Sequence, residues 1–142
     1  MANKKSMNPN DDLMKSIEKE VSKFSQHLMS NAKWIKLIDH LVNNMDEIKK
    51  IQFKRVQDDR IGELYLDENS SFEFDYWQTA FEGINSFGGW LQYKEIEYLS
   101  FPEKVDSKTE QDLEKISIII QTIGEFYLES DKNELKLICY KE

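Results

Sequence analysis

The chain contains one cysteine, Cys139, so no internal disulfide can form and packing must supply the stability. It has two histidines, His27 and His40, on different predicted helices and off the apolar stripe of each. A histidine–carboxylate centre needs such groups to converge, and this placement speaks against one. No Cys or His cluster has zinc spacing, and no glycine-rich loop leads into a helix with the phosphate-binding lysine. No cofactor is expected. Nor is there an apolar run long enough for a membrane span or the core of a signal peptide, and a cytoplasmic location is expected. Glycine is scarce too, yet Gly62, Gly83, Gly88 and Gly89, four of the five, fall within residues 61–93.

That stretch contains no Lys, Arg or His. It carries the carboxylates Glu63, Asp67, Glu68, Glu73, Asp75 and Glu82, and nine aromatic residues, among them Trp77 and Trp90. A partner with a basic surface would meet both charge and stackable area here. Most of these aromatics are expected in a core. Trp77, Phe87 and Trp90 lie near turns and glycines and are the better candidates for partial exposure, where Trp serves as an interface anchor.

The full 142 residues fit one domain, large enough to bury a core without metal. The formal net charge of −8, from 27 acids and 19 bases, disfavours direct nucleic-acid binding, which needs a basic surface. A basic protein partner suits it better, since opposite fields speed encounter. The plainer reading is that the acidity only keeps the protein soluble.

Residues 1–10 are polar and read as a disordered tail, leaving residues 11–142 as the domain. Asp11 or Asp12 can cap a first helix with the stripe Leu13, Ile17, Val21, Phe24 and Leu28. Ser30 and Asn31 offer a break and a new cap. A second helix over 32–44 follows, striped by Trp34, Ile38, Leu41 and Met45, and the two helices form a hairpin or lie on one sheet face. From Ile51 the apolar period becomes two. Strands are expected at 51–55, 61–66, 72–76 and 95–101, with turns at 57–60, 67–71 and 87–90 and an ambiguous, partly helical 77–87. Ser107 and Glu110 have capping-box spacing for a third helix carrying Leu113, Ile116, Ile120 and Ile123 inward. Ile118 and Ile119 widen its apolar face, and Gly124 stops it. A C-terminal hairpin closes the chain, with Leu135, Leu137 and Cys139 on one face. The class is α+β: a helical hairpin, an antiparallel sheet, one further packed helix and a C-terminal β-hairpin.

Met29-Ser30-Asn31-Ala32-Lys33-Trp34, followed by an apolar helix, resembles the Met-Asn-Asn-Thr-Lys-Trp opening of a family of small bacterial proteins known only as a domain of unknown function. Tyr93-Lys94-Glu95-Ile96-Glu97-Tyr98-Leu99 and Leu137-Ile138-Cys139-Tyr140 are similar to its later segments. The resemblance implies a bacterial protein and brings no catalytic residues with it. In general character the chain is also similar to the immunity proteins of toxin systems.

Three readings compete. The first is a non-enzymatic bacterial binding protein, an immunity-type inhibitor of a basic, nuclease-like toxin. Its partner surface would be Glu63, Asp67, Glu68, Glu73, Asp75, Trp77, Glu82 and Trp90. The second is an accessory or interaction domain of a bacterial complex. The third is a small carboxylate-dependent enzyme using Glu73 and Asp75, which share a strand face; acids opposite an aromatic face are more often a solvated surface. Cys139, phased with Leu135 and Leu137, reads as a core residue rather than a nucleophile. Lys49, Lys50, Lys54, Arg55 and Arg60, interleaved with Asp46, Glu47, Asp58 and Asp59, read as a solvated hairpin edge.

Overall fold

The computed structural model describes residues 9–66, 80–82 and 84–142. Three helices and nine strands are placed among them, in an α+β arrangement. Helix α1 spans Pro9–Val21, strand β1 Gln26–His27 and helix α2 Asn31–Val42. Strands β2 (Ile51–Arg55) and β3 (Asp58–Leu64) form a hairpin, and β4 (Ala80–Glu82) pairs with β5 (Trp90–Gln92). A 3-10 turn at Tyr93–Glu95 leads into β6 (Ile96–Pro102). Helix α3 (Leu113–Gln121) precedes β7 (Tyr127–Ser130), β8 (Glu134–Ile138) and β9 (Tyr140–Lys141).

The central sheet is antiparallel throughout, in the order β3-β2-β6-β8-β7, with β7 and β8 as the expected C-terminal hairpin. Its apolar residues meet the stripes of α2 and α3 in one core. Trp34, Leu37, Ile38 and Leu41 of α2 are buried there, and Trp34 stacks on Tyr93 at 5.4 Å. Ser30 caps α2 as expected, its hydroxyl accepting from the Lys33 N–H at 3.2 Å. Cys139 is buried beside Leu135 and Leu137 in the same core, and burial pushes its thiol well above the usual range.

Several expectations need correction. Within the described residues helix α1 spans Pro9–Val21, so Pro9 and Asn10 belong to the helix rather than to the tail. The rest of the predicted tail, residues 1–8, lies outside the described residues. Helix α1 ends at Val21, and Phe24 and Leu28 do not extend its stripe. The backbone of Gln26 and His27 pairs instead with Lys141 and Tyr140. The stripes of α1 and α2 do not face each other: Ile17 and Val21 join Val56 in a separate cluster. The turn after β2 is Val56-Gln57, two residues long, with a register shift at Lys54/Arg55. Residues 80–82 are strand, not helix, with Phe81 paired against Leu91. The third strand expected at 72–76 lies outside the described residues.

Helix α3 begins five residues later than the Ser107–Glu110 spacing suggests. Asp106 takes the N–H groups of Lys108 and Thr109, both at 2.8 Å, and closes a turn there. The buried Gln111 side chain then accepts from Lys49 and Lys50 N–H and donates to the Lys50 and Pro102 carbonyls. This stitch holds the chain extended until Asp112 caps the helix through the Lys115 N–H at 3.1 Å. Ile116 and Ile120 point inward, but Ile118 is 56% exposed, so the apolar face is narrower than four consecutive-looking isoleucines imply.

Candidate functional site

From Ile61 onward the burial alternates through the end of β3 and the two residues after it: Gly62, Leu64 and Leu66 are buried, while Ile61, Glu63 and Tyr65 lie on the outer side. The backbone of residues 84–86 lies along the edge of β3. Glu63 N–H donates to Ser86 Oγ (2.8 Å), Ser86 N–H to the Glu63 carbonyl (2.9 Å) and Tyr65 N–H to the Ile84 carbonyl (2.7 Å). Ile84 has φ 41°, a conformation unfavourable for a β-branched residue, and the bond from Tyr65 helps hold it there.

The turn that follows is tied to itself. Asn85 Oδ1 accepts from Phe87 N–H at 3.0 Å, and Gly88 N–H donates to the Asn85 carbonyl at 3.1 Å. Gly88 and Gly89 take φ of 75° and 65°, which only glycine adopts freely, so the expected bend is present. Phe87 folds back over β3. Its ring meets the edge of Phe53 at 5.6 Å and lies against the guanidinium groups of Arg55 (4.4 Å) and Arg60 (4.8 Å). Trp90 emerges from this bend at the start of β5. Its neighbour Leu91 is buried, and alternation leaves Trp90 56% exposed. The register sets Glu82 across from Trp90.

Of the predicted partner residues, the structure therefore brings Glu63, Glu82 and Trp90 onto elements around this bend. Asp67, Glu68, Glu73, Asp75 and Trp77 lie outside the described residues, as does the Glu73–Asp75 pair of the enzyme reading. The outer side of β3 adds two residues that composition did not single out, the exposed Ile61 and Tyr65.

The basic cluster is a solvated edge only in part: Lys49, Asp59 and Arg60 are exposed. Lys54 and Arg55 are mostly buried, Lys54 bonding Glu97 at 2.8 Å and Arg55 bonding Asp58 at 2.5 Å. Asp58 is shared with Arg60, at 2.6 Å. These ion pairs cancel the excess charge, and the Phe87 ring covers their apolar faces. Beside them, Glu95 is only 3% exposed. One carboxylate oxygen accepts from the Gln57 side-chain amide and the other from Gln92 N–H, each at 2.7 Å, with Arg55 Nη1 at 4.0 Å. The Gln92 bond is local, but Arg55 and Gln57 come from the end of β2 and the turn after it, which nothing in the sequence around Glu95 marks.

Hydrogen bonds from Arg60, side chain and backbone, and from Arg55 hold the Asp58 carboxyl well below the usual carboxylate range. Such a group adds stability that is complete above the unfolded carboxylate pKa, about 4, and is lost as pH falls through the lower folded value. Asp58→Asn should therefore flatten the acid limb of a melting temperature against pH curve between about pH 4 and pH 2. The limb should not vanish, because backbone N–H groups lower Asp106 and Asp131 as well. An unchanged acid limb in the variant would reject this role.

The histidines are each engaged locally. His40 Nε2 lies 3.1 Å from Thr122 Oγ1, and His27 stands edge-on to Tyr140. Among the described residues no group of three or more His, Cys, Asp or Glu is placed to hold a metal, and no helix is long and apolar enough to cross a membrane. A cleft of about 580 Å³, open to solvent, is lined by Glu103, Glu110, Asp112, Glu114, Asp131 and Lys132. It gathers carboxylates from three separate segments, which sequence reading could not bring together.

No protein-family model matches the chain, and no curated protein or solved structure is significantly similar to it. The class that the fold defines is an α+β domain built on a five-stranded antiparallel sheet.

Proposed function

We propose that this chain is a non-enzymatic bacterial binding protein, an immunity-type inhibitor that neutralises a basic, nuclease-like toxin through the acidic, aromatic stretch at residues 61–93. The observation that carries this reading is Trp90. A large aromatic side chain stands more than half exposed at the end of a bend braced by Phe87, Asn85 and Ser86. A backbone already braced at the anchor loses little conformational freedom when the anchor docks. Glu63 on β3 and Glu82 across from Trp90 belong to the same base-free stretch. In this reading they steer a cationic partner, and Asp67, Glu68, Glu73, Asp75 and Trp77 extend the surface. The bacterial setting rests on the resemblance of residues 29–34 to a small bacterial family.

The test is capture of the partner from the native host, followed by association and dissociation rates with the purified partner at two salt concentrations. Trp90→Ala should speed dissociation by about 30-fold, the equivalent of a buried anchor contributing about 2 kcal/mol. Glu63→Lys should instead slow association and weaken its salt dependence. Unchanged rates in both variants would reject this surface. A captured partner that is neither basic nor a toxin would favour the alternative, an accessory domain of a bacterial complex.

A further inference from the structure

Helix α1 is fastened differently from the rest of the fold. Its buried side chains, Ile17 and Val21, join Val56 in a small cluster of their own, bordered by Met14, Phe24 and Tyr140. Among the described residues, its side chains also reach the body through a solvent-exposed ion pair from Glu18 to Lys94 and a contact from the Gln92 amide to Met14 Sδ at 2.9 Å. The next tie is β1, whose ladder to β9 fixes Gln26 and His27 immediately after the connecting residues 22–25. Lifting α1 would break side-chain contacts and leave the ladders of the central sheet intact.

The contacts of α1 are also selective. Val56 is the turn residue between Arg55 and Gln57, and Lys94 precedes Glu95. Gln92 donates its N–H to the Glu95 carboxylate. Each segment that holds the buried Arg55–Gln57–Glu95 cluster is thus one on which α1 rests. In that cluster Arg55 Nε and Gln57 Oε1 are buried and make no hydrogen bond to another protein group. Opening would give both direct access to solvent.

We propose that α1 is a hinged strap that lifts from the β2–β3 turn and the 93–95 turn without unfolding the sheet, baring the cluster of Arg55, Gln57 and Glu95. Local openings of this kind draw on a few buried contacts and lie well below global unfolding in free energy.

Native-state hydrogen exchange on the full chain, read by mass spectrometry, tests the strap. Once lifted, a helix this short unwinds, so amides of α1 should exchange through an opening with a small denaturant slope, while those of β6 and β8 follow global unfolding with its full slope. Ile120→Val provides the decisive comparison, because Ile120 belongs to the main core in the closed and strap-open states alike. It should speed β6 and β8 exchange by about 3–10-fold and leave α1 exchange unchanged. Exchange of α1 in step with β6, in the parent and in Ile120→Val, would overturn the proposal. Carbodiimide labelling of Glu95 reads the baring itself. Val21→Ala, which loosens the strap, should raise its rate by about tenfold. A labelling rate that does not respond would show that α1 does not cover the cluster.

Discussion

Replacing Ile120 by alanine should lower the unfolding free energy by about 2–5 kcal/mol. Ile120 is fully buried on the inner side of α3, within the core that also holds Ile116, Leu135 and Leu137. Truncation removes apolar contacts and leaves a cavity that sheet and helix, both committed to other neighbours, can only partly close. A domain of this size has about 5–15 kcal/mol in all, so the loss is a large share. Ile118 is the control. It sits two residues away on the same helix and is more than half exposed, so Ile118→Ala should cost no more than about 0.5 kcal/mol. Urea denaturation of both variants, with the slope unchanged, checks the difference. Equal losses would mean that the helix is rotated from the position described.

Gly62→Ala is the second large effect, and its sign is the informative part. In an ordinary strand the change stabilises slightly, because alanine has less freedom to lose on folding. Here an added Cβ would lie 2.5 Å from Cζ of Phe53 and 2.8 Å from Cε2 of Phe87. Phe53 is fully buried in the main core and cannot retreat. Phe87 is held by the Phe53 edge, by two guanidinium groups and by the Asn85 turn. The methyl meets both rings, so Phe53 must shift or β3 must bend even if Phe87 swings away, a strain of about 1–3 kcal/mol. Phe87 is the ring that can leave, and its departure would also loosen the bend that presents Trp90. If residues 61–93 form the partner surface proposed above, Gly62→Ala should weaken partner binding in a protein that still folds. A variant at least as stable as the parent would show that Phe87 does not lie over Gly62.

The elements that read well from sequence are those with long, regular apolar periods. Trp34, Ile38 and Leu41 marked α2, Ile116 and Ile120 marked α3, and the alternation at Ile51–Phe53 and Leu135–Leu137 marked central strands. Their pattern is local, since a helix or strand repeats its own period whatever it packs against. Boundaries were less legible where a side chain had two uses. Ser107 and Glu110 have the spacing of a cap, but Asp106 and Gln111 bind more groups in the turn and the stitch, and Asp112 caps instead. Similarly, Phe24 continues the spacing of α1, yet it stacks on Tyr140 at the opposite end of the chain.

By itself, then, the sequence determined the α+β class, the core faces of α2, α3 and the central strands, the exclusion of an internal disulfide, and the acidic, aromatic character of residues 61–93. Each follows from composition or from a period only a few residues long. Tertiary structure alone decided that Trp90 is outward and Phe87 turned back, because that choice rests on Gly62 and Phe53 leaving room for one ring over β3. It also decided that Glu95 is a buried carboxylate and that Lys54 and Arg55 are paired rather than solvated. The Arg55–Asp58 pair closes over three positions, but the Lys54–Glu97 and Gln57–Glu95 contacts join groups some 40 positions apart, and no local pattern encodes such a meeting.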